Sequence, residues 1–334
     1  MALVEAEGVS VVYAPDRGTR IWSVRDVDLS LEEGEFVGIV GESGCGKSTL
    51  GFALTRMLRP PARLDAGTIR FAGTDISHLE GEQLRRQRRR GFALVLQSGM
   101  NALNPVRSVG QQFRDVLRAH ALAGERWDKG AARERGAELL GLVELEEAVL
   151  DRFPHELSGG MRQRVAIALA LALEPRFIVF DEPTTALDVI VQGAIMATIK
   201  ALQRSQRFTG VLISHDMGVV LDATDRTLVM YGGRIVEDQL SSEMLGGDHH
   251  PYTEALLRCY ADPRAEVVDL EDIPGSPPDL SLDRSGCGFA PRCGFVQPVC
   301  EVELPVLGPL GRGRAACHVR APLTAALQAA TSAG

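Results

Sequence analysis

Nine consecutive residues, Gly41-Glu42-Ser43-Gly44-Cys45-Gly46-Lys47-Ser48-Thr49, combine types and spacing suited to gripping phosphate. They follow the pattern Gly, four residues, Gly-Lys-Ser/Thr, in which glycines reach positive φ and turn their amides toward phosphate oxygens. Lys47 supplies a point charge to the β- and γ-phosphates, and Ser48 offers its hydroxyl to Mg²⁺. The apolar run Phe36–Val40 before the loop reads as a buried strand. Lys47–Leu58 after it has helical periodicity, which adds a helix N-terminus favourable to anions. The loop in this context is a nucleotide site.

A second apolar run, Phe177–Phe180, ends in Asp181 and Glu182. Asp181 is placed to hold Mg²⁺, directly or through water, and Glu182 to orient and deprotonate a water attacking the γ-phosphate. A lone Asp-Glu pair after a strand is usually a solvated turn. Downstream of a phosphate loop, and followed by Pro183-Thr184-Thr185-Ala186-Leu187-Asp188, the pair reads as catalytic. His215 follows Val211–Ser214 and would be a γ-phosphate sensor; Gln97 follows Ala93–Leu96 and offers a neutral amide to Mg²⁺ or the attacking water. Neither persuades singly. A further segment, Ser158-Gly159-Gly160-Met161-Arg162-Gln163, opens a helix running to about Leu173 as a second anion-binding N-terminus without a lysine. One chain does not need two such sites for one nucleotide. A dimer does, if each chain's second site closes over its partner's ATP.

The elements that must position these groups fit an α/β core. Short apolar runs at 36–40, 93–96, 177–180, 211–213 and 228–231 alternate with helical patterns, as in a largely parallel sheet. Residues 3–35 read as short alternating strands. Residues 107–152 are charged, Ala/Leu-rich and helical, an insertion into the core. Beyond Gly246-Gly247 several prolines mark a linker, then a Cys-rich extension and an Ala-rich tail. With 334 residues, about two domains are expected. The net charge of −8 argues against a surface-wide nucleic-acid groove, and Arg85–Arg90 reads as a solvated helix rather than a nucleic-acid or lipid patch. The longest apolar run, Val165–Leu173, falls far short of the ~20 residues that span a bilayer. The start lacks a basic n-region and an apolar h-region, so no secretory signal is expected and the cysteines should be reduced. Three lysines stand against 33 arginines, a bias that most simply reflects a GC-rich genome and makes Lys47 the more notable.

These motifs, in this order, resemble the ATP-binding cassette ATPases of membrane transporters over roughly residues 3–258. The resemblance implies that Tyr13 stacks on adenine and that Gly41–Thr49 bind the phosphates. It makes Gln97 the coupling glutamine, Ser158–Gln163 the signature, and Asp181 and Glu182 the metal-binding acid and base. Asp188 becomes the dimer-contacting loop and His215 the switch histidine. One departure is Ser98-Gly99 after Gln97, where the family often carries an acidic residue and proline; it touches the coupling surface rather than ATP chemistry. The implied fold is a RecA-like P-loop core with an antiparallel β subdomain and a helical signature subdomain (about 98–172), together residues 1–258. A small loop-rich extension spans 259–334. His250-Pro251-Tyr252, Ile273–Pro278 and Gly286–Cys293 are similar to the extension of di- and oligopeptide importer ATPases. That implies ATP and Mg²⁺, two permease subunits, a sister ATPase (or a second copy), an extracytoplasmic binding protein acting indirectly, and a place on the cytoplasmic face of the cell membrane.

Four cysteines, Cys287, Cys293, Cys300 and Cys317, are separated by five, six and sixteen residues. Zinc sites favour closer pairs, so a [4Fe–4S] cluster is the first expectation, zinc the second, and reduced thiols packed as small hydrophobes the bland alternative. Import of nickel or another small solute and a soluble role outside transport are the competing functions. Soluble cassette proteins usually need two fused cassettes or a long coiled coil, and neither is present.

Overall fold

The computed structural model describes residues 2–15, 18–96, 103–121, 126–185, 187–259, 273–282 and 285–319. Two sheets lie over one another. The smaller one, of order β2-β1-β4-β5, is antiparallel and is built from β1 (Ala2–Tyr13), β2 (Ile21–Glu32), β4 (Ala62–Phe71) and β5 (Thr74–Asp75). Its first two strands are twelve residues each, longer than the short strands expected, and they accommodate their length through register shifts.

The larger sheet holds the parallel core. β3 (Phe36–Val40), β6 (Phe92–Val95), β7 (Phe177–Asp181), β8 (Thr209–Ile213) and β9 (Arg226–Tyr231) run parallel in the order β9-β3-β8-β7-β6. Alternation of side chains assigns each strand to two apolar cores. Val37, Ile39, Val179, Val211 and Ile213 share a core with the smaller sheet and the helix that follows the glycine loop, while Val40, Ile178, Phe180 and Leu212 face the remaining helices. Such two-sided burial explains why these strands read as continuous apolar runs.

Helix α1 (Lys47–Leu54) follows the glycine loop and stops earlier than the periodicity to Leu58 suggested. Thr55 donates its hydroxyl back to the Gly51 carbonyl at 2.9 Å, and Arg56 then turns left-handed at φ +52°. The chain continues through α2 (Gly81–Arg90) into β6. The helical insertion comprises α3 (Val109–Ala119), α4 (Lys129–Leu142) and α5 (Gly159–Leu171). A capping box of Ser108 and Gln111 starts α3, and Asp128 caps α4. Phe113, Leu117, Leu139 and Leu140 are fully buried and join the core of the large sheet.

Helices α6 (Val189–Gln206), α7 (Met217–Ala223) and α8 (Pro251–Arg258) follow in the chain. The extension is less loop-like than its composition suggests. Besides α9 (Pro298–Val302), it forms a hairpin of β11 (Gly308–Leu310) and β12 (Gly313–Ala315). Through β10 (Arg234–Leu240), antiparallel to β9, this hairpin joins the main sheet in the order β11-β12-β10-β9.

Candidate nucleotide site

The loop leaves the end of β3 and wraps to the start of α1, as the strand–loop–helix pattern requires. Gly41 has φ +148° and a Cβ there would lie 2.2 Å from the Met230 carbonyl; Gly46 has φ +107° and its Cβ would lie 2.1 Å from the Ser23 carbonyl. Only glycine fits either place. Lys47 is buried and donates from Nζ to the carbonyls of Gly41 (2.6 Å) and Glu42 (2.9 Å). Its ammonium has no carboxylate partner among these contacts, so its charge is left for an anion. Cys45 turns its thiol into the apolar core, where burial raises its pKa, so it can offer only backbone to a ligand.

Asp181 ends β7 and accepts a 2.7 Å hydrogen bond from the Ser48 hydroxyl. Burial pushes its carboxyl above the ordinary range, with Glu182 adding to the rise and Ser48 and Lys47 opposing it. A buried carboxylate beside a serine hydroxyl is a hard-oxygen pair that fits Mg²⁺. Glu182 is held at φ +45°, an unusual backbone for a residue with a side chain. Its N–H donates to the Ile213 carbonyl at 2.9 Å, its Oε2 accepts from the Thr185 hydroxyl at 2.8 Å, and its Oε1 lies 3.4 Å from Nδ1 of His215. Glu182, His215, Thr185, Lys47, Ser43 and Ser23 line one open cleft of about 460 Å³, to which Gly44, Gly46, Ser48 and Thr49 also contribute. Ser23 and Thr185 were given no role from the sequence; Thr185 carries the signal of following Glu182 by three residues, whereas Ser23 lies within β2 and nothing local marks it.

Tyr13 closes β1, with its hydroxyl 3.2 Å from Oγ1 of Thr49, which also accepts from Ser23 at 3.0 Å. The ring thus stands beside the loop rather than among the residues of the cleft. Gln97 lies outside the described residues.

The second anion-binding segment sits elsewhere. Ser158 caps α5, its hydroxyl accepting from the Met161 N–H at 3.2 Å, and Gly159 opens the helix. A Cβ at Gly160 would lie 2.7 Å from Cγ1 of Val191, and Asp188 caps α6 by accepting from the Val191 N–H at 3.0 Å. Gln163 is buried in α5, its Nε2 without a hydrogen-bond partner among the described residues. Gly160 and Asp188 therefore meet at Val191, and none of these residues lines the phosphate cleft of its own chain. Beside them Val189 and Ile190 are 82% and 86% exposed, an apolar pair on open surface.

The four extension cysteines are free thiols in one neighbourhood. The Cys287 N–H donates to the Cys300 carbonyl at 2.7 Å, and Sγ of Cys293 accepts from the Phe295 N–H at 3.4 Å. Burial, with smaller contributions from the other three cysteines, pushes the Cys293 thiol up to about 11. Among the described residues no three His, Cys, Asp or Glu side chains form a group able to hold a metal ion. The expected metal centre finds no such group among the described residues, and burial raises the Cys287, Cys293 and Cys317 thiols, which favours their protonated form.

A family model described as "ABC transporter" matches residues 24–185, and one described as "Oligopeptide/dipeptide transporter, C-terminal region" matches residues 236–300. A dipeptide transport ATP-binding protein of Caldanaerobacter subterraneus is 37% identical over 319 residues, covering 95% of this chain and 97% of the relative. A putative peptide import ATP-binding protein of Brucella abortus is 39% identical over 323 residues, covering 96% of each. A solved ATP-binding cassette, a dimer in a post-hydrolysis state bound to ADP and phosphate, superposes with a TM-score of 0.64 at 29% identity. It covers 71% of this chain and 98% of that one. Among the described residues no helix is long and apolar enough to cross a membrane.

Proposed function

The chain belongs to the ABC transporter ATPases, in the group carrying the oligopeptide/dipeptide transporter C-terminal region, and from that premise we propose that it drives import of di- or oligopeptides by hydrolysing ATP. The observation that carries the reading is the convergence of Lys47, Ser48, Glu182 and His215 in one cleft at the ends of parallel strands. The peptide cargo rests on the relatives, which match almost end to end.

In the proposed mechanism the amides of the glycine loop and the Lys47 ammonium bind the β- and γ-phosphates. Ser48 and Asp181 would hold Mg²⁺, which when bound neutralises charge on the phosphate oxygens. Glu182 takes the proton of the attacking water; Thr185 fixes one of its oxygens and His215 stands at the other. Gln97 would contact the metal or that water, and Tyr13 the adenine. Ser158, Gly159, Gly160, Gln163 and Asp188 would close over the ATP of a second ATPase subunit, a sister chain or a second copy. What supports this is their separation from the cleft of their own chain and the exposed Val189 and Ile190 beside them. Residues 1–258 would act as the cassette and 259–334 as the importer-type extension.

The cassette would dock on two permease subunits at the cytoplasmic face of the membrane, with an extracytoplasmic binding protein delivering cargo. A [4Fe–4S] cluster on the extension cysteines rests on sequence spacing alone, and iron analysis of the purified chain decides it. The functional test is purification of the tagged chain from native membranes, followed by uptake assays on the reconstituted complex. Co-purifying permeases and ATP-dependent peptide uptake are expected. Uptake of nickel in place of peptide would overturn the cargo, and a soluble complex without permeases would overturn the transport role.

A further inference from the structure

The phosphate loop is gripped from outside by the extension. Arg292 donates from Nη1 to Oε2 of Glu42 at 2.7 Å and from Nη2 to Oε1 at 3.0 Å, a bidentate pair. The Arg292 side chain is only 4% exposed. Its remaining donors reach the carbonyls of Pro274 (2.8 Å) and Ile273 (3.2 Å) and the Tyr231 hydroxyl (3.2 Å). The guanidinium lies over the rings of Tyr231 and Phe289, 5.8 and 5.9 Å from their centroids. From α8, the fully buried Tyr252 accepts the Glu42 N–H on its hydroxyl at 2.8 Å, with its ring 4.5 Å from that of Tyr231.

Glu42 is the second residue of the loop. The extension thus holds its carboxylate and α8 holds its N–H, while its carbonyl accepts from Nζ of Lys47 at 2.9 Å. A continuous line of polar contacts joins Arg292 to the phosphate-binding lysine. A forked, largely buried pair fixes position in a way a single mobile charge does not. The guanidinium is also held by two extension carbonyls and by the Tyr231 hydroxyl of β9, so contacts other than Glu42 fix its place.

We propose that Arg292 is a positioning residue of the nucleotide site: through Glu42 it sets the entry of the phosphate loop, so that MgATP affinity depends on the docked extension. This role rests on the ATPase reading of the cleft. It differs from a staple that only adds stability, because a staple would leave the affinity of the folded protein unchanged.

The test measures the MgATP dissociation constant and the thermal midpoint of the full chain as native protein, Glu42→Gln, Arg292→Gln, their double mutant and Arg292→Lys. Loss of one charged hydrogen-bonded partner should weaken MgATP about tenfold in either single variant at a temperature well below unfolding. The double mutant should be no weaker than Arg292→Gln, since both remove one interaction. Arg292→Lys, which keeps the charge but loses the fork, should recover only part of this affinity and stay more than about threefold weaker than native. If Arg292→Gln fails to fold, Glu42→Gln alone decides, because it leaves the other Arg292 contacts in place. A lowered midpoint with native affinity in Glu42→Gln overturns the positioning role alone. Native protein that does not bind MgATP overturns the ATPase reading and this role together.

Discussion

Oε1 of Glu182 lies 3.4 Å from Nδ1 of His215, while its Oε2 is occupied by the Thr185 hydroxyl. One carboxylate oxygen is therefore anchored and the other faces an exposed imidazole across the cleft. Replacing Glu182 by Gln keeps an acceptor for Thr185 but removes the proton acceptor. Phosphate release should fall ~10²–10⁴-fold while MgATP still binds. Gel filtration with MgATP should then show a long-lived dimer; native turnover in this variant would remove Glu182 from the role of base.

Lys47 donates to the Gly41 and Glu42 carbonyls and, at 3.8 Å, to Sγ of Cys45, all within the loop. Lys47→Ala should leave the far-ultraviolet circular dichroism native and weaken ATP binding roughly 100-fold, read by titration calorimetry. Unchanged affinity would mean that the loop amides alone carry phosphate binding.

Val189 and Ile190 stand exposed at the start of α6, next to Asp188. Substituting both by Asp should change monomer stability by less than about 0.5 kcal/mol per site, as for ordinary surface positions. The same change in the Glu182→Gln background should abolish the ATP-dependent dimer on gel filtration. A dimer that survives would place the contact elsewhere.

His249 and Glu237 are almost completely buried and 2.7 Å apart. Burial alone would lower the His249 pKa, but the hydrogen bond and charge of Glu237, helped by Glu254 and Asp248, raise it above the ordinary 6.5. Its stabilisation is complete below about 6.5 and is lost as pH climbs through the raised folded-state value. The melting temperature should therefore decline across that interval, and the decline should flatten in His249→Asn. A native slope in the variant would assign the effect to another group.

Much of the site was legible because its chemistry is local. The glycine loop, Asp181, Glu182 and His215 each sit directly at the end of an apolar run, and those runs became β3, β7 and β8. The end of α1 was misjudged because Thr55 and Arg56 terminate the helix by hydrogen bonding and backbone geometry, which periodicity does not register. The strands β11 and β12 were missed since three-residue strands rich in Gly and Pro carry no alternation. The Arg292–Glu42 pair was invisible for another reason: its members are 250 residues apart, and nothing local to either announces the other.

The antiparallel pairing of β10 with β12 carries a consequence for the order in which the protein is made. Asp238 meets Arg314 across 76 residues of chain. At ~5–20 residues per second, the ribosome leaves that flank of β10 without a neighbouring strand for several seconds. During this interval the nascent cassette offers unpaired backbone N–H and C=O groups to any extended peptide nearby. A translational pause placed between these two strands should therefore lower soluble yield, and a pause after residue 315 should spare it.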